Sequence, residues 1–311
     1  MEKLNIFITG ATGCLGHYLV DILRDNEKYN LFLLIRDKKN WKYDFEKVSN
    51  ATILYGDMEC IEKFSAYLNK THYLIHIATS WCGSQSTIID GPFKMLDSLD
   101  LSIVKRVMFF STASILGREN ILLKEAQTLG TGYIKDKYLS YNLIKQSKYK
   151  DLVIHIFPTV IIGGDKTHPY THIGEGLLKS QKMLNLAKYF YIDLGFHYIH
   201  AQDIAKIIVF LMENKNSKLD YVVGNDYILL KDFIKELASY FGKKPLLQIK
   251  IPTRFINFII KLFRLKVDPW GYFSLNYRFF KYDITSCHSL KIPTQLDNLE
   301  SIMQNLEGSS K

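Results

Sequence analysis

Gly10-Ala11-Thr12-Gly13-Cys14-Leu15-Gly16 sets three glycines three residues apart. Such a run can turn with positive φ and leaves bare backbone for a phosphate to approach. Where it opens a helix it also offers unpaired N–H groups and the positive end of the helix dipole. The chemistry it suits is binding the pyrophosphate of a dinucleotide, with Gly10, Thr12, Gly13, Cys14, Leu15 and Gly16 as the cradle. About 20 residues on, where a ribose-binding carboxylate would be placed, stands Arg36. A guanidinium suits a 2′-phosphate and offers no acceptor to a ribose diol, so NADP(H) is preferred. Asp37 follows directly and keeps NAD(H) open.

Tyr141-Asn142-Leu143-Ile144-Lys145 puts a phenol and an ammonium four apart, neighbours on one face of a helix. A nearby ammonium can pull a tyrosine, ordinarily near pKa ~10, toward acid–base work at neutral pH. Tyr133 and Lys137 share that spacing. Position favours Tyr141 and Lys145, which fall inside a helix read over 137–148, while Tyr133 follows Gly130 and Gly132 at its entrance. Ser111, Thr112 and Ser114 cluster after an apolar run, where a hydroxyl could steady a substrate oxygen or simply cap a turn.

These groups need strands to carry them. Apolar, β-branched runs at 4–9, 31–35, 51–55, 73–77, 106–110 and 152–157 read as six strands, separated by segments long enough for crossover helices. Alternation of this kind predicts an α/β fold, a Rossmann-type doubly wound parallel sheet, with ligands at the carboxyl ends of its strands. The glycine run falls between the first strand and a helix over 17–25, and the hydroxyl cluster leaves the fifth strand. After Pro158 the pattern loosens, with helices at 174–186, 204–213 and 231–241. The expected division is a dinucleotide-binding domain over 1–165 and a smaller, mixed substrate-binding part over 166–311, with some segments packing back. The substrate pocket is expected from Trp81, Cys82, the 163–172 loop and the later half.

Together these residues resemble the extended short-chain dehydrogenase/reductase family, which includes nucleotide-sugar epimerases and dehydratases and dihydroflavonol-type reductases. The likeness spans about residues 4–240. Thr9 to Gly16 match its Thr-Gly-x-x-Gly-x-x-Gly motif, and Asp57 before Met58 is similar to its adenine-side aspartate. His76-Ile77-Ala78 is similar to its fourth-strand His-x-Ala, and Phe157-Pro158-Thr159-Val160 to its Arg-Pro segment, with Phe157 in place of Arg. His200 to Ala205 is similar to a later His-x-x-Asp-x-Ala segment. The resemblance implies that Tyr141 exchanges a proton with a carbonyl or alcohol oxygen, Thr112 steadies that oxygen, and Lys145 lowers the tyrosine's pKa. Asp57, Met58, Ala78, Ser111, Pro158 and Val160 would complete the cofactor site.

Composition narrows the remainder. The net charge of +9 is spread along the chain without an aromatic-plus-basic motif, so a solvated basic surface is expected rather than nucleic-acid binding. No stretch is long and apolar enough for a membrane span, and residues 1–10 lack an export signal, so the cytosol is the expected compartment. Cys14, Cys60, Cys82 and Cys287 are scattered and read as reduced thiols. His168 and His172 read as exposed loop histidines, and no metal is expected. The basic, aromatic stretch 251–267 reads two ways: a helix packed on the small domain, which is favoured, or weak contact with a membrane surface. A homodimer is left open. The expected activity is NAD(P)-dependent oxidoreduction of a small carbonyl or alcohol substrate. The alternatives are a nucleotide-sugar epimerase or dehydratase with retained NAD, and a non-catalytic NADP-binding sensor or assembly factor.

Overall fold

The computed structural model describes residues 3–38, 41–79, 86–214, 218–244 and 247–308, with Ser86 described by its backbone alone. Its strands include β1 (Leu4–Thr9), β2 (Tyr29–Ile35), β3 (Ala51–Tyr55), β4 (Tyr73–His76), β5 (Arg106–Phe110), β6 (Val153–Pro158), β7 (Val160–Ile162), β8 (Tyr198–His200) and β9 (Asp220–Val223). The longer helices are α1 (Cys14–Leu23), α2 (Gly91–Asp97), α3 (Gly132–Gln146), α4 (His172–Lys179), α5 (Ala201–Glu213), α6 (Leu230–Tyr240), α7 (Thr253–Leu262), α8 (Pro269–Tyr277) and α9 (Leu299–Glu307). Several shorter elements link them.

Seven strands form one sheet in the order β9-β6-β5-β4-β1-β2-β3, every pair parallel. Side chains alternate across it. Ile6 and Ile8 of β1 join Leu31, Leu33, Met108 and Ile154 in a core closed by Leu19 and Leu23 of α1 and by Ile204, Ile208 and Leu211 of α5. Phe7 points the other way, into a core with Leu74, Val107, Phe109, Met95 and Ile144. Burial on both faces is why these strands read as unbroken apolar runs rather than alternating ones. The sheet is the Rossmann-type arrangement expected, and β1, β3 and β5 have the bounds read from the sequence.

Three differences bear on the site. β9 is a seventh strand that the sequence reading did not anticipate, and with α5 it brings residues beyond 165 into the sheet's own core. α3 begins at Gly132, one turn and more before the expected 137. The expected helix over 174–186 is instead α4 and a separate turn at Leu184–Ala187. A third core gathers Ile162, Tyr198, Phe233, Leu237, Leu299 and Ile302, so α6 and α9 close the smaller half together.

Candidate active site

The carboxyl ends of the strands open into a cleft of about 1080 Å³. At its floor Gly10 takes φ +79° and Gly13 donates its N–H back to the Gly10 carbonyl at 3.1 Å. A Cβ on Gly16 would stand 2.2 Å from that same carbonyl oxygen, so helix and turn approach as closely as a bare backbone permits. A Cβ on Gly13 would meet only the Gly10 oxygen, at 3.5 Å. A side chain there would fill the cradle instead of striking protein. α1 opens at Gly13 with no side-chain cap, which leaves its first N–H groups for an anion. Thr12, Cys14 and Leu15 line the same floor. Burial pushes the Cys14 thiol up to about 12, so it is a neutral part of that floor.

The rim continues along the strand ends. Arg36 and Asp37 line the cleft just beyond β2, their side chains 3.9 Å apart, with the guanidinium largely exposed. Asp57 caps the turn that follows β3, its Oδ1 accepting from the N–H groups of Glu59 at 3.0 Å and Cys60 at 3.2 Å, and Met58 lies beside it. Ala78 donates its N–H to Thr9 Oγ1, which also meets His76 Nδ1 at 2.8 Å. Burial first, then the charge of Lys137, push His76 down to about 3, so its imidazole is neutral. Ser111, Pro158 and Val160 also line the cleft. The Ser111 hydroxyl is buried there without a hydrogen-bond partner, as expected of a group that meets a bound ligand. Glycine cradle, open helix end and orphan hydroxyl together fit a nicotinamide dinucleotide.

The tyrosine–lysine pair in this cleft is Tyr133 and Lys137, and the expectation for Tyr141 and Lys145 is corrected accordingly. In a βαβ unit the crossover helix starts at the carboxyl end of the sheet and runs away from it, so only its first turns can face a ligand. Tyr133 and Lys137 occupy those turns. Tyr141 lies eight residues on, roughly 12 Å along the axis. There its Oη donates to Asp220 Oδ2 at 3.2 Å, and Lys145 Nζ donates to the same oxygen at 2.7 Å. Burial and the Asp220 charge push the Tyr141 phenol well above its ordinary range. The second pair ties α3 to β9.

Lys137 is buried, and its Nζ donates to the Phe110 carbonyl at 2.7 Å. Burial pushes that ammonium down to about 8. It lies 5.9 Å from the centre of the Tyr133 ring. Burial pushes the Tyr133 phenol up to about 12, against the opposing effect of its hydrogen bonds with the Thr112 and Thr79 side chains. Thr112 Oγ1 also accepts from the Ser114 N–H at 3.2 Å and lines the cleft. Thr79 was not anticipated; it follows the His-x-Ala segment by one position, the signal that could have found it.

Beyond these hydroxyls the cleft is aromatic: Tyr170, Phe196, Trp270, Phe280 and Tyr282. His197 is held neutral between the Asn225 carbonyl, which accepts from Nδ1 at 2.8 Å, and the Tyr282 N–H, which donates to Nε2 at 3.1 Å. Among the described lining residues the only lysine or arginine side chains are Arg36 and Lys137. Of the expected loop, Tyr170, Thr171 and His172 line the cleft. Trp81 and Cys82 lie outside the described residues.

His168, expected to be exposed, is buried. Its Nδ1 meets Asp165 at 2.9 Å, its Nε2 meets Asp21 at 2.7 Å, and its ring stacks on Tyr18. Burial opposes the charge, but the two carboxylates outweigh it and push the imidazole up to about 9. Local sequence cannot show this, because α1 contributes Asp21 from 147 residues earlier in the chain.

The model of the NAD dependent epimerase/dehydratase family matches residues 6–224. No curated protein matches the chain by sequence. Solved structures match it throughout. The dTDP-glucose 4,6-dehydratase of Bacillus anthracis, in complex with NAD, is 14% identical with a TM-score of 0.66, covering 97% of this chain and 95% of its own. The UDP-N-acetylglucosamine 4-epimerase of Methanobrevibacter ruminantium, in complex with UDP-N-acetylmuramic acid, is 16% identical with a TM-score of 0.66, covering 98% and 97%. Vestitone reductase of alfalfa is 15% identical with a TM-score of 0.66, covering 97% and 96%. A dehydratase, an epimerase and a reductase thus share this fold.

Proposed function

The chain belongs to the NAD-dependent epimerase/dehydratase family, and we propose that within it this protein is an NADP(H)-dependent oxidoreductase of apolar, aromatic carbonyl compounds or the corresponding alcohols. The observation that carries the reading is the Tyr133 phenol, hydrogen-bonded with Thr112 and Thr79 in the cleft that the glycine turn opens into, with buried Lys137 beside it. Bound there, a nicotinamide dinucleotide would supply hydride exchange with the substrate carbon. The glycine turn and the start of α1 would hold its pyrophosphate, and Ser111 would meet it from the end of β5. Arg36, exposed and pairing weakly with Asp37, is free to turn onto a 2′-phosphate.

The protein's own part is proton transfer and positioning. Tyr133, neutral with its phenol near 12, donates its proton to the carbonyl oxygen during reduction and takes it back during oxidation. Thr112, its acceptor side occupied by the Ser114 N–H, directs its proton at that oxygen and stabilises the charge developing there. The Lys137 ammonium favours the phenolate left behind. The aromatic wall and the absence of a lysine or arginine among the described residues of the substrate end favour an uncharged, planar substrate over a nucleotide sugar, whose phosphates would need cations.

The test is to titrate the purified protein with NADPH and with NADH, wild type and Arg36→Ala, and then to screen turnover of aromatic aldehydes and ketones. Tighter binding of NADPH that Arg36→Ala abolishes, with turnover of such carbonyls, supports the reading. Equal or better binding of NADH, or turnover of a nucleotide sugar alone, would replace it with the epimerase or dehydratase alternative.

A further inference from the structure

α7 is the most one-sided helix of the chain, and nothing among the described residues covers its outer face. None of its residues is buried. Phe255, Phe258 and Leu262 follow the helical repeat on that face, and with Phe263 they range from 53% to 65% exposed. The inner positions Ile256, Ile259 and Ile260 are only half-buried. The helix expected from periodicity forms, its inner side packs only in part, and a row of large apolar side chains faces outward. Exposing several large apolar side chains side by side costs free energy in water, and such patches mark surfaces that meet something else.

The charge around this face specifies what it meets. From Lys243 to Val267 the sequence has seven lysines and arginines and neither aspartate nor glutamate. Arg254 and Lys261 flank the apolar row on α7. At the start of the helix a crevice of about 330 Å³ is lined by Lys250, Arg254 and Arg278. Asp193 pairs with Lys250 at 2.7 Å. Among the described residues no carboxylate lies within ion-pair distance of Arg254 or Arg278. Apolar side chains that can enter acyl chains, bordered by a net excess of cations, complement an anionic lipid bilayer. A second copy of this chain would set like charge against like.

We propose that this protein docks on anionic membranes through α7, with Phe255, Phe258 and Leu262 entering the acyl boundary and the basic crevice seating a lipid phosphate. The helix lies along the surface; no helix of the described residues is long and apolar enough to cross a membrane. The short link 263–268 joins α7 to α8, whose Trp270 and Ser274 line the cleft. The docked face and the substrate end are thus contiguous, and an apolar carbonyl compound would reach the cleft from the lipid. That last step rests on the function proposed above; the docking does not.

The experiment is sedimentation of the whole protein with vesicles of phosphatidylcholine alone and of phosphatidylcholine with phosphatidylglycerol, without nucleotide or substrate. Binding to the anionic vesicles only, weakened by salt, is expected. Replacing Lys261 and Arg264 by Glu should lower it by roughly tenfold or more. Phe258→Ser with Leu262→Ser should abolish it without lowering the melting temperature, since both side chains are exposed. In a Phe258→Trp variant the indole emission should shift to the blue on these vesicles. Protein left in the supernatant, equal binding to neutral vesicles, or unchanged emission from the Phe258→Trp variant would overturn the proposal. So would a stable dimer in solution that Phe258→Ser dissociates. Docking with no carbonyl turnover would leave it standing and remove only the function proposed for the cleft.

Discussion

Lys137 Nζ donates to the Phe110 carbonyl oxygen at 2.7 Å, joining the first turns of α3 to the last residue of β5. The bond fastens the end of α3 that carries Tyr133 to the strand whose exit carries Thr112. Ile134 and Ile144 of the same helix are buried in the cores beside it.

Tyr133→Phe is expected to lower kcat by on the order of 10²–10⁴-fold while leaving nucleotide affinity within a few-fold. Tyr141→Phe removes only the bond to Asp220, and should leave kcat near wild type at a stability loss of about 1 kcal/mol. Turnover and thermal melts of the two variants side by side check both statements. The reverse ranking would return the chemistry to the later pair.

Lys137→Met separates stability from activity. Keeping this ammonium charged in the protein interior, with its pKa lowered from 10.5 to about 8, costs about 3 kcal/mol at neutral pH, partly offset by the bond to Phe110. Methionine fills similar space without the charge. The variant should melt no lower than wild type and turn over at least tenfold more slowly. A melting temperature lower by ~5 °C or more would mean the bond to Phe110 outweighs the cost of burial.

The second and third glycines of the turn should fail differently. Gly16→Ala forces a Cβ to 2.2 Å from the Gly10 oxygen, an overpacking expected to cost about 2 kcal/mol or more. Gly13, at φ −78°, accepts alanine without strain, and its stability should change by less than ~0.5 kcal/mol. Its methyl would instead occupy the cradle and weaken dinucleotide binding by roughly tenfold. Calorimetric titration with NADPH tests this, and undiminished affinity in Gly13→Ala would place the pyrophosphate elsewhere.

His168 gives the fold a dependence on alkaline pH. Its folded pKa of about 9 lies above the unfolded 6.5, so the stabilisation is complete below about 6.5 and is lost as pH rises through 9. The size expected is about 2 kcal/mol, because the pair with Asp21 and Asp165 is only partly shielded from water. Denaturant melts between pH 6 and 10 should show this slope in the wild type and a shallower one in His168→Gln. Parallel slopes would mean that His168 is neutral throughout.

Much of this was legible in the amino-acid order. Strands buried on both faces leave unbroken apolar runs, and the glycine spacing together with Arg36 marked one wall of the cleft. The start of α3 is the part the amino-acid order hides: its pattern points to Lys137, five residues late, and so to Tyr141 rather than to Tyr133, which lines the cleft. Gly130 and Gly132 mark the entrance, and the entrance of a crossover helix is the end nearest the ligand. The seventh strand stayed hidden because Asp220–Val223 is four residues long and sits in the irregular half. For His168 and for α7 the local sequence tells which side chains are neighbours, and not whether a partner from elsewhere in the chain covers them.

The fold closes on itself late. Thr285 bridges to Val223 at the sheet's edge, Cys287 enters the first core, and α9 supplies Leu299, Ile302, Met303 and Leu306 to the core of the smaller half. A growing chain leaving the ribosome therefore has its nucleotide cradle from β1 and α1 early, and the wall facing the substrate only after Tyr282 has emerged. Nascent chains halted before residue 285 should hold nucleotide far more weakly than the full chain, and their smaller half should fall readily to protease.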